Sequence, residues 1–510
     1  MYVIDWLAKQ AALVPDKLAL VDLATGRRIS YRDLDERASR FAEFLRDRCG
    51  VAPGDRVAVL AHNSSDYVEM LYGCGKIGAL QVCLNWRLSV DENRAVLADS
   101  GASGLIYGAD FDAAARELAA PGGPRRLARL GGAADGVPGY EDALAASSGR
   151  PIEMPCRAMD EAWYLLYTSG TTGKPKGVIQ TYGMTFFNAI NSMLAAKLSR
   201  DDVFLSVLPY FHTGGLNVYL NPMIQAGATV HVMPQFDPER TLELLERDIT
   251  VFFGVPAIYL FLSQHPRFAQ ADLSGVRVWA CGGSPIAGSL LEQYLAKGIT
   301  ICTGFGMTET GPTVFLSDEE TARRKVGSVG RPVVYALAKV VDDAGRELGP
   351  HERGELIVKG PGITPGYWQN PEATRAAIRD GWLWTGDIAY RDEDGDYYIV
   401  DRSKDMFISG GENVYPAEVE NVLFQLDGVA EAAVIGVPDA RWGEVGKAII
   451  ALRPGAALAP EEIASFCRQR LAGYKVPKHF ELVPALPRNA AGKVLKEKLR
   501  ELHGAGAPVP

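Results

Sequence analysis

Residues Tyr167-Thr168-Ser169-Gly170-Thr171-Thr172-Gly173-Lys174-Pro175-Lys176-Gly177-Val178 concentrate the chemistry needed to hold phosphate. Thr168, Ser169, Thr171 and Thr172 offer hydroxyls, and Gly170, Gly173 and Gly177 let backbone N–H groups converge on one anion. Lys174 and Lys176 add positive charge that no acidic neighbour in the stretch neutralises. The spacing Gly170-x-x-Gly173 is not that of a Walker loop, and Pro175 disfavours the helix a Walker loop would begin. The stretch therefore reads as a phosphate-holding loop after the apolar run Trp163–Leu166, with a plain Ser/Thr/Gly surface turn as the bland alternative.

A second constellation is Thr303-Gly304-Phe305-Gly306-Met307-Thr308-Glu309-Thr310. Glycines on both sides of Phe305 leave its ring faces open to a flat base, Thr308 can donate to a phosphate, and Glu309 can hold Mg²⁺ with a triphosphate. Other candidates are weaker as bare letters. His212, in Leu208-Pro209-Tyr210-Phe211-His212-Thr213-Gly214-Gly215, reads alone as a satisfied core histidine. Asp387 reads as a turn cap, the Gly410-Gly411 pair as a surface turn, and Lys493 as a surface lysine.

The totals bound what can position these groups. A chain of 510 residues is too long for one core, and its 47% apolar and 23% charged content is that of a globular protein. The formal net charge of −9 argues against a nucleic-acid partner. Seven scattered cysteines without a C-x-x-C pair read as reduced thiols of a cytoplasmic protein, with neither a disulfide framework nor a zinc site. No basic region followed by an apolar stretch marks the start, and no apolar run is long enough for a membrane span. Oligomeric state is open, and a homodimer is compatible with the sequence.

Along the chain, Leu34, Ala38, Phe41 and Leu45 recur at helical spacing. Strand signals at 56–60 and 81–84 flank a helix over 66–77, the rhythm of a parallel sheet. Gly73-Cys74-Gly75-Lys76-Ile77-Gly78 matches the dinucleotide fingerprint G-x-G-x-x-G, but a helix runs into it from Asp66, so helix packing is the better reading. Residues 121–150, rich in Gly, Ala and Pro, read as a surface connection. Strands are expected at 203–207, 229–232, 251–253, 276–280 and 300–302, making a second α/β lobe. From Gly327 the texture is that of a small β region, and beyond about residue 403 a separate small domain begins, with a frayed tail from His503.

The order of the motifs from Tyr167 to Lys496 resembles the AMP-forming adenylating enzymes: acyl-CoA synthetases, adenylation domains and firefly-type luciferases. The resemblance implies an α/β fold with a large N-terminal domain, 1–403, of two α/β lobes plus a small β region, and a small mobile α+β C-terminal domain, 404–510. It implies that Thr168, Ser169, Gly170, Thr171, Thr172, Gly173 and Lys176 hold ATP phosphates, and that Gly283, Ser284, Pro285, Thr303, Gly304, Phe305, Gly306, Met307 and Thr308 bound the adenine. Phe305 stands where the family usually has tyrosine. Asp387 and Arg402 match the ribose partners, Lys404 the hinge, Gly410, Gly411 and Glu412 the loop that meets CoA, and Lys493 the catalytic lysine. The acyl site is implied at His212, Gly214, Gly215, Val218, Gly282, Gly306 and Pro312, and Mg²⁺ binding at Thr168 and Glu309.

What the resemblance implies chemically is an acyl-CoA ligase using ATP, CoA and a carboxylic acid through acyl-AMP, with Lys493, Thr168, Lys176, Glu309 and His212 as catalytic groups. Thr213 stands where amino-acid-activating relatives carry an aspartate for the substrate ammonium. A buried ammonium without a partner is costly, so the acid lacks an α-amino group. The chain is most similar to fatty-acyl and hydroxycinnamoyl ligases, including Met233-Pro234-Gln235-Phe236-Asp237 and Ser409–Glu418. Gly214, Gly215 and Val218 suggest a roomy apolar pocket, so the expected substrate is a medium or long fatty acid, with an aromatic acid as the alternative. Loading of a carrier protein or amine, or luciferase-like oxidation, are rival outcomes of the same adenylate.

Overall fold

A computed structural model of the chain describes residues 1–510 except 170–174, 403–404, 410–411, 440, 490–492 and 505–510, with the backbone alone at Ser169 and Arg402. The first lobe is a six-stranded sheet in the order Pro175–Thr181, Ala162–Ser169, Leu80–Cys83, Arg56–Leu60, Gly104–Gly108 and Arg125–Leu130. All its pairings are parallel except the first. The helix Ser65–Ile77 connects two of these strands, as its apolar spacing predicts. Its glycines serve packing: a Cβ on Gly73 would lie 2.7 Å from the Ala38 carbonyl oxygen, and one on Gly75 2.7 Å from the Trp163 indole nitrogen. Gly78 ends the helix at φ 74°, a left-handed turn that favours glycine.

The second lobe is an eight-stranded sheet, Phe315–Leu316, Ile301–Phe305, Val278–Cys281, Val251–Gly254, Val203–Ser206, Thr229–Val232, Leu18–Asp22 and Arg28–Ser30. Its N-terminal strand comes from far away in sequence: Leu18–Asp22 lies parallel to Thr229–Val232. The early chain therefore closes the second sheet instead of opening the first. One apolar core runs between the lobes, from Val3 and Leu7 through Phe41, Tyr164 and Leu220 to Ile301.

Three expectations need correction. Residues 121–150 are not a bare connection: Arg125–Leu130 forms the edge strand of the first sheet, and the helix Tyr140–Ala145 buries Tyr140 and Leu144. The strand expected at 276–280 begins two residues later, at Val278. The stretch 167–178 is mostly hairpin, since Ala162–Ser169 and Pro175–Thr181 pair antiparallel up to Ser169 and Pro175.

A third, antiparallel sheet of Leu337–Val341, Gly354–Lys359, Trp382–Arg391, Ile378–Arg379 and Tyr397–Arg402 forms the β region. The last part of the chain folds on a fourth sheet, including the long hairpin Val429–Asp439 with Gly443–Leu452. That sheet has its own apolar layers, one around Leu423, Val434 and Ile450 and one around Ile435, Ile449 and Leu499. Asp401 accepts a hydrogen bond from the Ala417 N–H at 2.8 Å, joining the end of the β region to the first turn of the helix Pro416–Leu423.

Candidate active site

Thr168 and Lys176 are cross-strand partners near the end of the hairpin where the chain connects the two strands, so the pairing alone sets hydroxyl and ammonium side by side. Ser169 is the last paired residue on its strand, while Gly170, Thr171, Thr172, Gly173 and Lys174 lie outside the described residues. Gly177 has a packing role: a Cβ there would stand 2.9 Å from the Tyr167 ring and 3.2 Å from Trp368. The segment around Tyr367 runs along the free edge of the hairpin, with Trp368 N–H bonded to the Gly177 carbonyl at 2.7 Å and Val178 bridging Tyr367. That alignment brings the Tyr367 ring under Lys176, whose ammonium lies 5.3 Å from the ring centroid.

Glu309 is buried, and the Tyr367 hydroxyl donates to its carboxylate at 2.8 Å. The short turn Thr308–Thr310 that carries it follows the strand Ile301–Phe305. It is held by Thr364 N–H to the Glu309 carbonyl at 2.8 Å and by the Gln180 side chain, which donates to the Thr308 carbonyl at 2.9 Å. Two hard oxygen groups, the Thr168 hydroxyl and the Glu309 carboxylate, thus sit on segments joined through Lys176 and Tyr367.

The glycines on both sides of Phe305 allow close backbone packing on their own side of the strand. A Cβ on Gly304 would lie 2.8 Å from the Phe315 carbonyl oxygen, and one on Gly306 would overlap the Pro312 carbonyl. These glycines let the returning chain press against the strand, and Phe305 packs edge-on to Phe315 at 6.1 Å. Met307 joins Phe305 against the core of the β region. The Thr303 hydroxyl donates to the Ser328 carbonyl at 2.6 Å, so its proton is committed to the backbone.

The acyl-side candidates come from the carboxyl ends of parallel strands, the usual position of a ligand crevice in an open α/β sheet. His212 follows Val203–Ser206, Gly282 and Gly283 follow Val278–Cys281, and Gly306 follows Ile301–Phe305. Gly283 has φ 86°, while Ser284 and Pro285 carry the chain on toward the helix Gly288–Ala296. Burial, with the Arg87 guanidinium acting in the same direction, holds the His212 imidazole down to about 4, so it is neutral at pH 7. The expected room at Gly215 is already filled, because a Cβ there would overlap the Pro209 carbonyl. At Gly214 a Cβ would stand 3.3 Å from Leu208, and Val218 packs on the core between the lobes. The Phe253 ring lies beside both Gly214 and Gly282, 3.9 and 3.6 Å from where their Cβ atoms would be.

Asp387 is buried in the strand Trp382–Arg391, directly opposite Arg402. A left-handed Gly386, φ 72°, turns the strand just before it, and the Thr385 hydroxyl accepts from the Asp387 N–H at 3.1 Å. Lys493 is partly buried and held by a closed pair of bonds: its N–H donates to the Asn489 side chain at 2.9 Å, and Asn489 N–H donates to its carbonyl at 2.7 Å. Glu412 begins an exposed strand, whereas Lys404, Gly410 and Gly411 lie outside the described residues. The acidic turn Asp392, Asp394 and Asp396 converges on the Lys325 ammonium at 2.7, 2.8 and 2.6 Å, which gives those carboxylates a cation from the chain itself.

Sequence reading did not single out Tyr367, Gln180, Thr364 or Asn217. Tyr367 and Thr364 lie more than 50 residues from Glu309 in sequence, and only packing against the hairpin edge brings them to it. The isolated polar letters Gln180 and Asn217 inside apolar runs were the available signal.

A two-lobed α/β body with a separate C-terminal sheet, and phosphate-type groups gathered at the strand ends, is the architecture of an adenylate-forming enzyme. The chain belongs to the AMP-binding enzyme family: residues 7–368 match its main domain and residues 418–493 match the AMP-binding enzyme C-terminal domain. It is 41% identical over 501 residues to a feruloyl-CoA synthase of Amycolatopsis sp, covering 98% of this chain and 99% of the relative. It is 38% identical over 509 residues to the long-chain-fatty-acid–CoA ligase FadD13 of Mycobacterium tuberculosis (strain CDC 1551 / Oshkosh), covering 99% of each chain. Among solved structures it is similar to ATP-bound MatB from Rhodopseudomonas palustris, with a TM-score of 0.91, 33% identity and 99% of each chain covered. The protein is thus an enzyme of the AMP-forming acyl-CoA ligase type. Among the described residues, no helix is long and apolar enough to cross a membrane.

Proposed function

We propose that this ligase activates an aromatic carboxylic acid of the hydroxycinnamate type, with medium or long fatty acids as the second reading. The observation that carries the choice is the Phe253 ring. The rim of this buried ring reaches Gly214 on one side and Gly282 on the other at the strand ends, and the ring packs T-shaped with Tyr219 at 5.8 Å. An aromatic side chain at this corner suits a planar acyl group. The likeness to a feruloyl-CoA synthase supports this reading, and the likeness to FadD13 supports the fatty-acid alternative.

The reaction has two displacements. A carboxylate oxygen of the acid attacks the α-phosphorus of ATP, the bond to the bridging oxygen breaks, and pyrophosphate leaves. The CoA sulfur then attacks the acyl carbonyl carbon, AMP leaves with the electron pair of the broken C–O bond, and the thiol proton passes to solvent. Thr168, Lys176 and Lys493 stabilise phosphoryl oxygens, and the chain supplies position and charge with no covalent intermediate. Neutral His212 adds no second cation to the acyl corner, and Thr213 leaves an α-ammonium without a partner. Asp387 with Arg402 holds the ribose hydroxyls, while Gly283, Ser284, Thr303 and Gly304 bound the adenine.

The oxygen donors Thr168 and Glu309 fit a hard divalent cation, and these two would hold Mg²⁺. When bound, such an ion neutralises charge on the triphosphate. The domain boundary is assigned near residue 403, a reading compatible with the gap between the family matches 7–368 and 418–493. Lys404 is the hinge, and Gly410, Gly411 and Glu412 meet the incoming CoA.

A panel of cinnamates, benzoates and fatty acids, scored by CoA-dependent AMP release, tests the substrate class. Hydroxycinnamates should turn over with the highest kcat/KM. Preferred turnover of long-chain fatty acids would overturn the choice in favour of the second reading.

A further inference from the structure

Behind the site lies a buried polar relay that the two-step chemistry does not by itself require. Thr213, Asn217 and Asn221 follow one another at four-residue spacing, and Leu216–Leu220 is a π-helical turn, a local irregularity often found at functional sites. Asn217 is fully buried and is the hub. Its side-chain amide donates to the Thr213 hydroxyl at 3.1 Å and to the Gln180 carbonyl oxygen at 3.3 Å. Its carbonyl oxygen accepts from the Tyr164 hydroxyl at 2.6 Å and from Asn221 at 3.0 Å. Gln180, also fully buried, then donates to the Thr308 carbonyl at 2.9 Å.

Each end of the relay is one step from a site residue. Tyr164 lies on the strand that ends at Thr168 and Ser169, and Gln180 on the strand that starts with Pro175 and Lys176. Thr213 is next to His212, and Thr308 is next to Glu309. A buried amide that loses a partner costs the desolvation of that group, so such a network holds its segments in one register or not at all.

We propose that Gln180 and Asn217 are positioning residues that lock the Thr308–Glu309 turn in register with the His212–Thr213 corner and with the phosphate hairpin. The inference rests on the assignment of Glu309 to the ATP site. Gln180 governs the nucleotide side alone, because its outward bond goes to Thr308. Asn217 governs both sides, because it holds Thr213 as well as Gln180.

Gln180→Met and Asn217→Leu approximate side-chain length and branching while removing the amides. With Gln180→Met, pyrophosphate exchange should fall on the order of 10–100-fold with a raised KM for Mg·ATP. The KM for the acid, and CoA-dependent consumption of synthetic acyl-AMP, should stay within about twofold of the parent protein. Asn217→Leu should raise the KM for both ATP and acid. The double variant should lose no more than Asn217→Leu alone, the mark of one relay.

Equal loss of both half-reactions in Gln180→Met, with a matching fall in Tm, would reduce the relay to ordinary core support and overturn the proposal. Additive losses in the double variant would overturn it too. Should Gln180→Met not fold, Gln180→Leu repeats the same split with a shorter, branched side chain. Glu309→Gln separates this inference from the one beneath it. If that variant is crippled in pyrophosphate exchange while Gln180→Met and Gln180→Leu match the parent protein, positioning alone is wrong. If Glu309→Gln exchanges normally, the site assignment falls and the inference falls with it.

Discussion

The Tyr367 hydroxyl is hydrogen-bonded to the buried Glu309 carboxylate at 2.8 Å, with the Lys176 ammonium 5.3 Å from the same ring. One side chain thus ties the Thr308–Thr310 turn to the hairpin that carries Lys176. Tyr367→Phe keeps the ring under Lys176 and removes the bond to Glu309. A hydrogen bond to a charged group contributes about 1.5–3 kcal/mol, so pyrophosphate exchange at limiting Mg·ATP should fall roughly 10–100-fold. Exchange kinetics that match the parent protein would show the bond to be incidental.

Asp387 faces Arg402 across adjacent strands, in the position assigned to the ribose. Asp387→Ala should raise the KM for ATP by on the order of tenfold or more while leaving the ranking of acid substrates unchanged. An unaltered ATP requirement in steady-state assays would count against a ribose contact.

Lys493 and Gly411 both belong to the C-terminal part of the chain, and one small domain cannot present both faces to the site at once. Lys493→Ala should cut acyl-AMP formation by about 10²–10³-fold, as for loss of one preorganised donor, and still convert supplied acyl-AMP to acyl-CoA. Gly411→Leu should do the reverse, and proline at Lys404, the proposed hinge, should mimic it where it traps the adenylating orientation. Pyrophosphate exchange and acyl-AMP consumption, measured separately, decide the matter. Folded variants that lose both steps equally would refute domain alternation.

His212 titrates near 4 in the folded chain because burial disfavours its charged form. Between the ordinary histidine value of about 6.5 and 4 the unfolded chain binds a proton that the folded chain does not, so stability is lost as pH falls through that window. His212→Phe removes this dependence. Urea unfolding at about pH 5 and about pH 7.5 should show a pH-linked loss smaller by about 1 kcal/mol in the variant, a figure reduced for the ring's partial exposure. An identical pH response in both proteins would mean that the imidazole is accessible to protons when folded.

Gly306 lies against Pro312 so closely that any Cβ would overlap the Pro312 carbonyl oxygen. Gly306→Ala should therefore lower Tm by several degrees through displacement of the returning chain, a steric cost of about 1–3 kcal/mol. A thermal melt unchanged from the parent would show that the returning segment yields freely.

Much of this enzyme is written locally. Apolar periodicity announces the helix Ser65–Ile77 and the strands Arg56–Leu60 and Thr229–Val232, because burying one face of a helix or strand depends on neighbours a few residues away. The stretch 167–178 and the Glu309 turn stand out as candidates for a similar reason, since hydroxyls, glycines and charges lie at short spacing, whereas Asp387 stands out only through the family resemblance. The glycines show where such reading stops: Gly214, Gly215, Gly304 and Gly306 look like open space in one dimension, yet neighbouring side chains and backbone occupy that space in three. Tertiary structure alone placed Leu18–Asp22 in the second sheet, Tyr367 beside Glu309, and Asn217 between Tyr164, Thr213 and Gln180. Apart from Thr213 and Asn217, four residues apart, those pairings join residues dozens to hundreds of positions apart. Their partners are chosen by which buried polar groups meet once the lobes close on a shared core, a choice that no local spacing encodes.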